Sequence, residues 1–281
     1  MSEYQYYEFQ ALDKPLSKRQ LSELRALSTR ARITAVSFVN DYQWGDLKAD
    51  PKSLMTRYFD AHLYLANWGA RRLMLRLPKQ FVDQKSLSAY CRGYALTIRQ
   101  AREHVILDFC SEGDADSDDF LRTEGWLGSL IPLRREILEG DLRSLYLGWL
   151  LSLQAGELGD RGREPPIPIG MSRLSGSLEA LIDFLRLDPE LVRASVQTQP
   201  DRPGASRRTR ASELRKWVAK LPVSEKNDIL LRLAQGEEPH VRADLLRRFR
   251  RSQRASRASK AARPKGRTVG QLLAAVEGRS Q

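Results

Sequence analysis

A chain of 281 residues, 41% hydrophobic and 29% charged, has the length for one large or two ordinary globular domains and the composition of a folded protein. Wholesale disorder and a dependence on disulfide staples are excluded. The net charge of +12 is unevenly placed: span 242–267 holds eleven basic residues and one acid, Asp244, and supplies +10 of it. The remaining residues are close to neutral, so any affinity for polyanions is assigned to that span and not to the whole chain.

The opening MSEYQYYEFQ lacks the basic and apolar regions of an export signal, and no window approaches eighteen consecutive apolar residues. Two cysteines, Cys91 and Cys110, without a framework of spaced partners, suit a reducing compartment. A cytoplasmic protein with no membrane span is expected.

In chain order, residues 4–12 are aromatic-rich and read as a strand, with Tyr7, Phe9 and Ala11 on one face and Tyr4, Tyr6 and Glu8 on the other. Ser17 and Gln20 make a capping-box pair before Leu21, Leu24 and Leu27, which predicts a helix over 18–28. ITAVSFV is a strand, Asn40-Asp41 its turn, and residues 42–44 the hairpin return. Asp50-Pro51 opens a helix that buries Leu54, Tyr58, Ala61 and Leu65 and ends at Gly69. RRLMLRLP alternates, pointing Leu73, Leu75 and Leu77 inward and Arg72, Met74 and Arg76 outward, so that Arg76→Ala is expected to be mild. A short helix over 85–91 and strands over 94–99 and 103–110 complete an α+β pattern with a mixed or antiparallel sheet.

Beyond the acidic stretch 112–119 the strand signals stop. Residues 132–139 and 141–154 read as helices, and GDRGREPPIPIG concentrates glycine, proline and charge. Leu174, Leu178, Leu181 and Leu185 keep a helical period, Asp188-Pro189 restarts it, and 198–210 reads as an exposed linker. Ser224 caps a helix closed by Gly236, Pro239 opens the arginine-rich helix, and Thr268 caps a last short helix. The resulting plan is an α+β domain over 1–159, a linker over 160–170, a helical region over 171–240, an arginine-rich helix or tail over 241–267, and a short helix over 268–281.

The arginine-rich helix is the main functional candidate. Arg247, Arg250, Arg251, Arg254 and Arg257 fall within an arc of about 120° on a helical projection, while Val241, Leu245 and Phe249 lie opposite as a dry face for the protein body. The stripe is expected to face away from that body. Guanidinium forks in such a row suit the phosphates of DNA or RNA, and the absence of interleaved asparagine, glutamine or aromatic residues points to backbone contact without base readout.

The other candidates are structural on this reading. Asp114, Asp116 and Asp118 occupy calcium-loop positions one, three and five, but Asp119 replaces the required glycine and Gly125 the closing glutamate, with Glu124 one place early. His104, Asp108 and Cys110 share a strand face, yet a rise of about 3.3 Å per residue keeps His104 roughly 13 Å from Asp108. His62 reads as a packed histidine. No phosphate loop, nucleophile elbow, HExxH or CxxC occurs, and no catalytic residue, metal or cofactor is expected.

Three stretches, YQYYEFQALDKPLS, NDYQWGDLKADPKSLMTRYFDAHLYLANWG and SEKNDILLRLAQGEEPHVRADLLRRFR, together resemble a group of bacterial proteins without an assigned activity. The resemblance implies one architecture over most of the chain and a bacterial, cytoplasmic setting, and it carries no residue roles. The expected function is that of a non-catalytic accessory protein contacting nucleic-acid backbone through the basic helix. The alternatives are an interaction or scaffold protein whose basic helix meets an acidic partner and, third, an enzyme of unrecognised type.

Overall fold

The computed structural model describes residues 4–113, 125–196, 207–257 and 266–277. Its N-terminal part is built on seven strands: β1 (Gln5–Gln10), β2 (Arg32–Ile33), β3 (Ser37–Tyr42), β4 (Ala61–Ala66), β5 (Arg71–Pro78), β6 (Leu96–Gln100) and β7 (His104–Ser111). They form one sheet in the order β2-β3-β1-β4-β5-β7-β6, every pairing antiparallel. The fold is α+β.

Register explains why both sheet faces are dry. On one face Leu63, Leu73 and Phe109 stand in a cross-strand row, followed by Leu75 with Leu107 and Leu77 with Val105. On the other, Phe38, Phe9, His62, Met74 and Asp108 make a second row. That second face is covered by α1 (Lys18–Leu27) and α2 (Pro51–Arg57), whose Leu24, Leu54 and Met55 join Phe9, Phe38 and Met74 in one cluster. The capping box at Ser17 and Gln20 starts α1, and the Asp50 carboxylate accepts from the Lys52 and Ser53 amides to start α2.

Three sequence expectations fail here for physical reasons. Helix α2 ends at Arg57, and residues 61–66 form central strand β4 instead of continuing it. Every residue of AHLYLA but Tyr64 is buried, so the alternation that marks a half-exposed strand is missing. Asn40-Asp41 lies inside β3, and the chain reverses before it, between β2 and β3. The buried Asn40 amide is satisfied there by Ser28 Oγ at 2.9 Å and Tyr42 Oη at 2.7 Å. Met74 is fully buried and Arg76 nearly so, because α1 and α2 cover the face expected to be outward.

The opposite face carries the helical layer. After a 3-10 turn (Lys79–Phe81) and α3 (Gln84–Ser88) come α4 (Trp126–Leu130), α5 (Pro132–Leu138) and α6 (Arg143–Gln154). Ten consecutive residues of α6, Ser144 to Leu153, are buried. It packs so closely on the sheet that a Cβ at Gly148 would stand 2.8 Å from Leu96 and 2.9 Å from Phe109, which only glycine avoids. Then follow α7 (Gly176–Leu185) and α8 (Pro189–Val196), and their Leu178, Leu181 and Leu191 share one apolar cluster with Leu75, Trp149 and Phe109. In the Gly/Pro-rich segment between α6 and α7, Glu164 is buried and the Pro166 carbonyl accepts from Tyr90 Oη at 2.7 Å.

The remaining helices are α9 (Arg207–Ala219), α10 (Val223–Ala234), α11 (Glu238–Arg257) and α12 (Val269–Glu277). Residues 207–210, expected as linker, belong to α9; 198–206 lie outside the described residues. Helix α10 starts after Pro222, one residue before the expected cap Ser224, and closes at Gly236 with φ +83°. It buries none of its own residues and leaves Val223, Leu230 and Leu231 exposed. Thr268 caps α12 as expected, with Gln271 bonding back to its amide, and Val269 and Leu272 of this helix are fully buried.

Candidate nucleic-acid interface

Helix α11 is seated by its early residues. Val241, Ala243 and Phe249 are buried, Leu245 half-buried, and Phe249 meets the Trp217 ring of α9 at 5.7 Å. His240 stacks on Phe81 at 5.1 Å, and Arg242 pairs with Glu139 of the α5 exit at 2.6 Å. The dry face expected of Val241 and Phe249 is therefore present, with Ala243 carrying more of it than Leu245.

The described part of the stripe, Arg247, Arg250 and Arg251, does not face away from the body. Arg247, Arg248, Arg250 and Arg251 line one wall of a cleft of about 460 Å³ whose other sides come from residues 81–87 and from the end of α5. Arg247 donates to the Gln80 carbonyl and to Asp244 at 2.7 Å. Arg250 lies over Gly140, where a Cβ would collide with its guanidinium and where φ is +77°, so the position suits glycine on both counts. Arg248, outside the stripe on the projection, joins the same wall and pairs with Glu225 of α10. The 3-10 turn 79–81 and the α5 exit contribute Phe81 and Gly140 to the same hollow, which residues of α11 over a wider arc than one stripe line. The side chains of Arg254 and Arg257 lie outside the described residues, as do Asp114, Asp116 and Asp118 with Asp119 and Glu124.

The cleft is chemically two-sided. Asp83 is the one carboxylate among its described lining residues, against four guanidinium groups. Its floor is apolar: Phe81, Leu87, Ile137 and Leu138 are buried, and Val82 and Leu142 half-buried. The sequence could not show this floor, because its residues come from two separate stretches, 81–87 and 137–142, each with an ordinary apolar period.

One basic residue of the span serves the fold. Arg267 makes two bonds to Glu164, at 2.9 and 3.0 Å, and Tyr146 Oη donates to the same carboxylate at 2.6 Å. Burial, then the Glu164 charge and hydrogen bond, push the Tyr146 hydroxyl well above its ordinary range. This clamp ties α12 to α6 and removes Arg267 from the charge available to a ligand.

The titratable groups of the sheet are likewise spent on structure. Asp108 holds Arg72 in a two-point pair at 2.6 and 2.7 Å, with Lys52 at 3.6 Å. Cys91 and Cys110 are unpaired thiols, and burial pushes Cys91 up to about 11. No group of three His, Cys, Asp or Glu side chains among the described residues is placed to hold a metal ion. Among the described residues no helix is long and apolar enough to cross a membrane.

His62 belongs to β4 and is fully buried, stacked on Phe9 at 3.9 Å. Its Nδ1 lies 3.0 Å from the Glu8 carbonyl, which can only accept, so Nδ1 carries the proton. Burial lowers its pKa to about 3. A histidine held neutral in the fold but titrating near 6.5 when unfolded contributes stability that is complete above about pH 6.5 and is lost as pH falls toward 3. Between pH 6.5 and 5 the parent should lose about 1.6 kcal/mol through this residue. His62→Phe should lose that much less over the same interval in urea titrations, and equal losses in the two proteins would refute the assignment.

Comparison with known proteins adds no family: no family model, curated protein or solved structure matches the chain. The likeness read from its three stretches therefore brings no relative whose function could be transferred.

Proposed function

We propose that this chain is a non-catalytic protein that binds nucleic-acid backbone through α11. The observation that carries the reading is the gathering of Arg247, Arg248, Arg250 and Arg251 on one wall, where Asp83 is the one carboxylate among the described lining residues and Asp244 and Glu225 pair Arg247 and Arg248 from outside the lining. Guanidinium groups stay protonated and present fixed forks of donors, so a wall built of them holds oxyanions and does not shuttle protons. Helix α11 continues to Arg257, so its backbone is long enough to lie along a polyanion. An accessory role, with the α+β part meeting another protein, fits a near-neutral body beneath one basic element. The apolar floor favours a second reading, an acidic peptide with apolar side chains, in which the protein is a scaffold.

Salt dependence tests the choice. Anisotropy of a labelled oligonucleotide titrated with the full chain should give log K falling steeply with log salt, by about 0.7 to 0.9 for each phosphate neutralised. The triple change Arg247→Ala, Arg251→Ala and Arg254→Ala should flatten that slope by about 2 to 3. The same charge removed at Lys260, Arg263 and Lys265 should flatten it less if the helix acts as an ordered wall. Failure of the parent to bind any oligonucleotide would reject the reading.

A further inference from the structure

A row of arginines on a convex helix would hold a duplex or a single strand alike. The wall in this protein is instead one side of a hollow of about 460 Å³, within the roughly 300–1,000 Å³ usual for small-ligand sites. Its floor is apolar through Phe81, Leu87, Ile137, Leu138 and Leu142. Phosphates use only the wall. In a duplex the base faces are hidden in the stack, leaving nothing for the floor. A single strand can turn one base away from its neighbours, lay it on apolar surface and keep the adjoining phosphates within reach of arginine.

Resting on the reading above, we propose that the cleft takes one unstacked nucleotide, so that the chain selects single-stranded over duplex nucleic acid. Exposed Arg251 meets the strand at the rim, and Arg250, lying over Gly140, stands deeper beside the floor. Asp83 opposes the phosphate from the other side and limits affinity. Apart from the arginines, the polar lining is Asp83 and Ser86, joined by a hydrogen bond of 2.7 Å from Ser86 Oγ. With no side-chain amide among the described residues that line the hollow, preference among the four bases is weak.

The test uses the full chain with a labelled single strand of mixed sequence and a duplex of the same length. The single strand should bind about tenfold more tightly, the scale of one base stacked on a protein surface. Ser86→Trp, which fills the hollow, should bring single-strand affinity down to the duplex level while leaving duplex affinity in place. Asp83→Asn should tighten the single strand by about threefold at low salt, a gain that a misfolded variant cannot produce. Equal affinity for the two forms, or a preference that survives Ser86→Trp, overturns the cleft assignment and leaves backbone binding by α11 standing. Binding of neither form removes both. Displacement of the strand by an acidic apolar peptide more readily than by unlabelled strand would make the peptide the occupant and also overturn the assignment.

Discussion

Arg76→Ala should cost about 3 kcal/mol or more, although the alternation of β5 places this arginine on the face expected to be outward. Its guanidinium donates to Asp60 Oδ1 through Nε at 3.1 Å and Nη2 at 2.8 Å, and to the Thr56 carbonyl at 3.1 Å. Asp60 is 1% exposed, and its other oxygen accepts from the Leu12 and Asp13 amides at 2.7 and 3.0 Å. Arg134, which bonds the Arg76 carbonyl and Asp13, stands 3.7 Å from Asp60 and cannot replace the lost pair. A buried carboxylate left short of its main partner is the costly way to break an ion pair.

The pH dependence of that cost checks its cause. Burial raises the Asp60 pKa, but the Arg76 and Arg134 charges and the two amides outweigh it and hold the carboxyl below its usual range. A depressed folded pKa stabilises the protein above about pH 4 and is lost as pH falls through the folded value. Without Arg76 the carboxyl loses the larger of its two guanidinium charges while burial still pushes it up, so it is expected to protonate at a higher pH than in the parent. The deficit of Arg76→Ala relative to the parent should therefore shrink between pH 7 and pH 5 in urea titrations. A deficit under 1 kcal/mol at pH 7, or one that does not change with pH, would show that packing and not charge is lost.

The sequence was legible where one local rule acted alone. Caps at Ser17, Asp50 and Thr268 act within four residues, and β1 and β7 sort their side chains into two faces without reference to the rest of the chain. It was not legible at β4, because a strand covered on both faces has no polar side to reveal its period and follows directly on a well-capped helix. The candidate interface shows the same division. Its arginines could be placed on a helix from spacing, but the hollow beneath them depends on residues 81–87 and 137–142 meeting α11, which no local pattern encodes. The role of Arg267 was hidden for the same reason, since its partner Glu164 is 103 positions earlier.

That clamp leads to the second large effect: a chain ending at Lys265 should lose its cooperative melt or aggregate, although what is removed is a short, formally peripheral helix. The truncation uncovers the surfaces under Val269 and Leu272, both fully buried, at about 1.5–3 kcal/mol each. It also strips Glu164 of its guanidinium, leaving a carboxylate that is 2% exposed with only the Tyr146 hydroxyl, at a further cost of about 3–5 kcal/mol. Together these approach the roughly 5–15 kcal/mol that holds a typical protein folded. Two full-length variants separate the contributions. Arg267→Ala should be markedly destabilised, and adding Glu164→Gln should recover part of the loss, because the residue left behind is no longer charged. Recovery is the decisive result, since lost packing at Arg267 would not be repaired by neutralising Glu164. If the truncated chain instead melts like the parent, α12 and the clamp between Arg267 and Glu164 are not part of what holds the fold together. The predicted instability means that binding must be dissected by substitution at Arg250 and Arg251, whose guanidinium groups line the cleft, and not by deletion of the span that carries them.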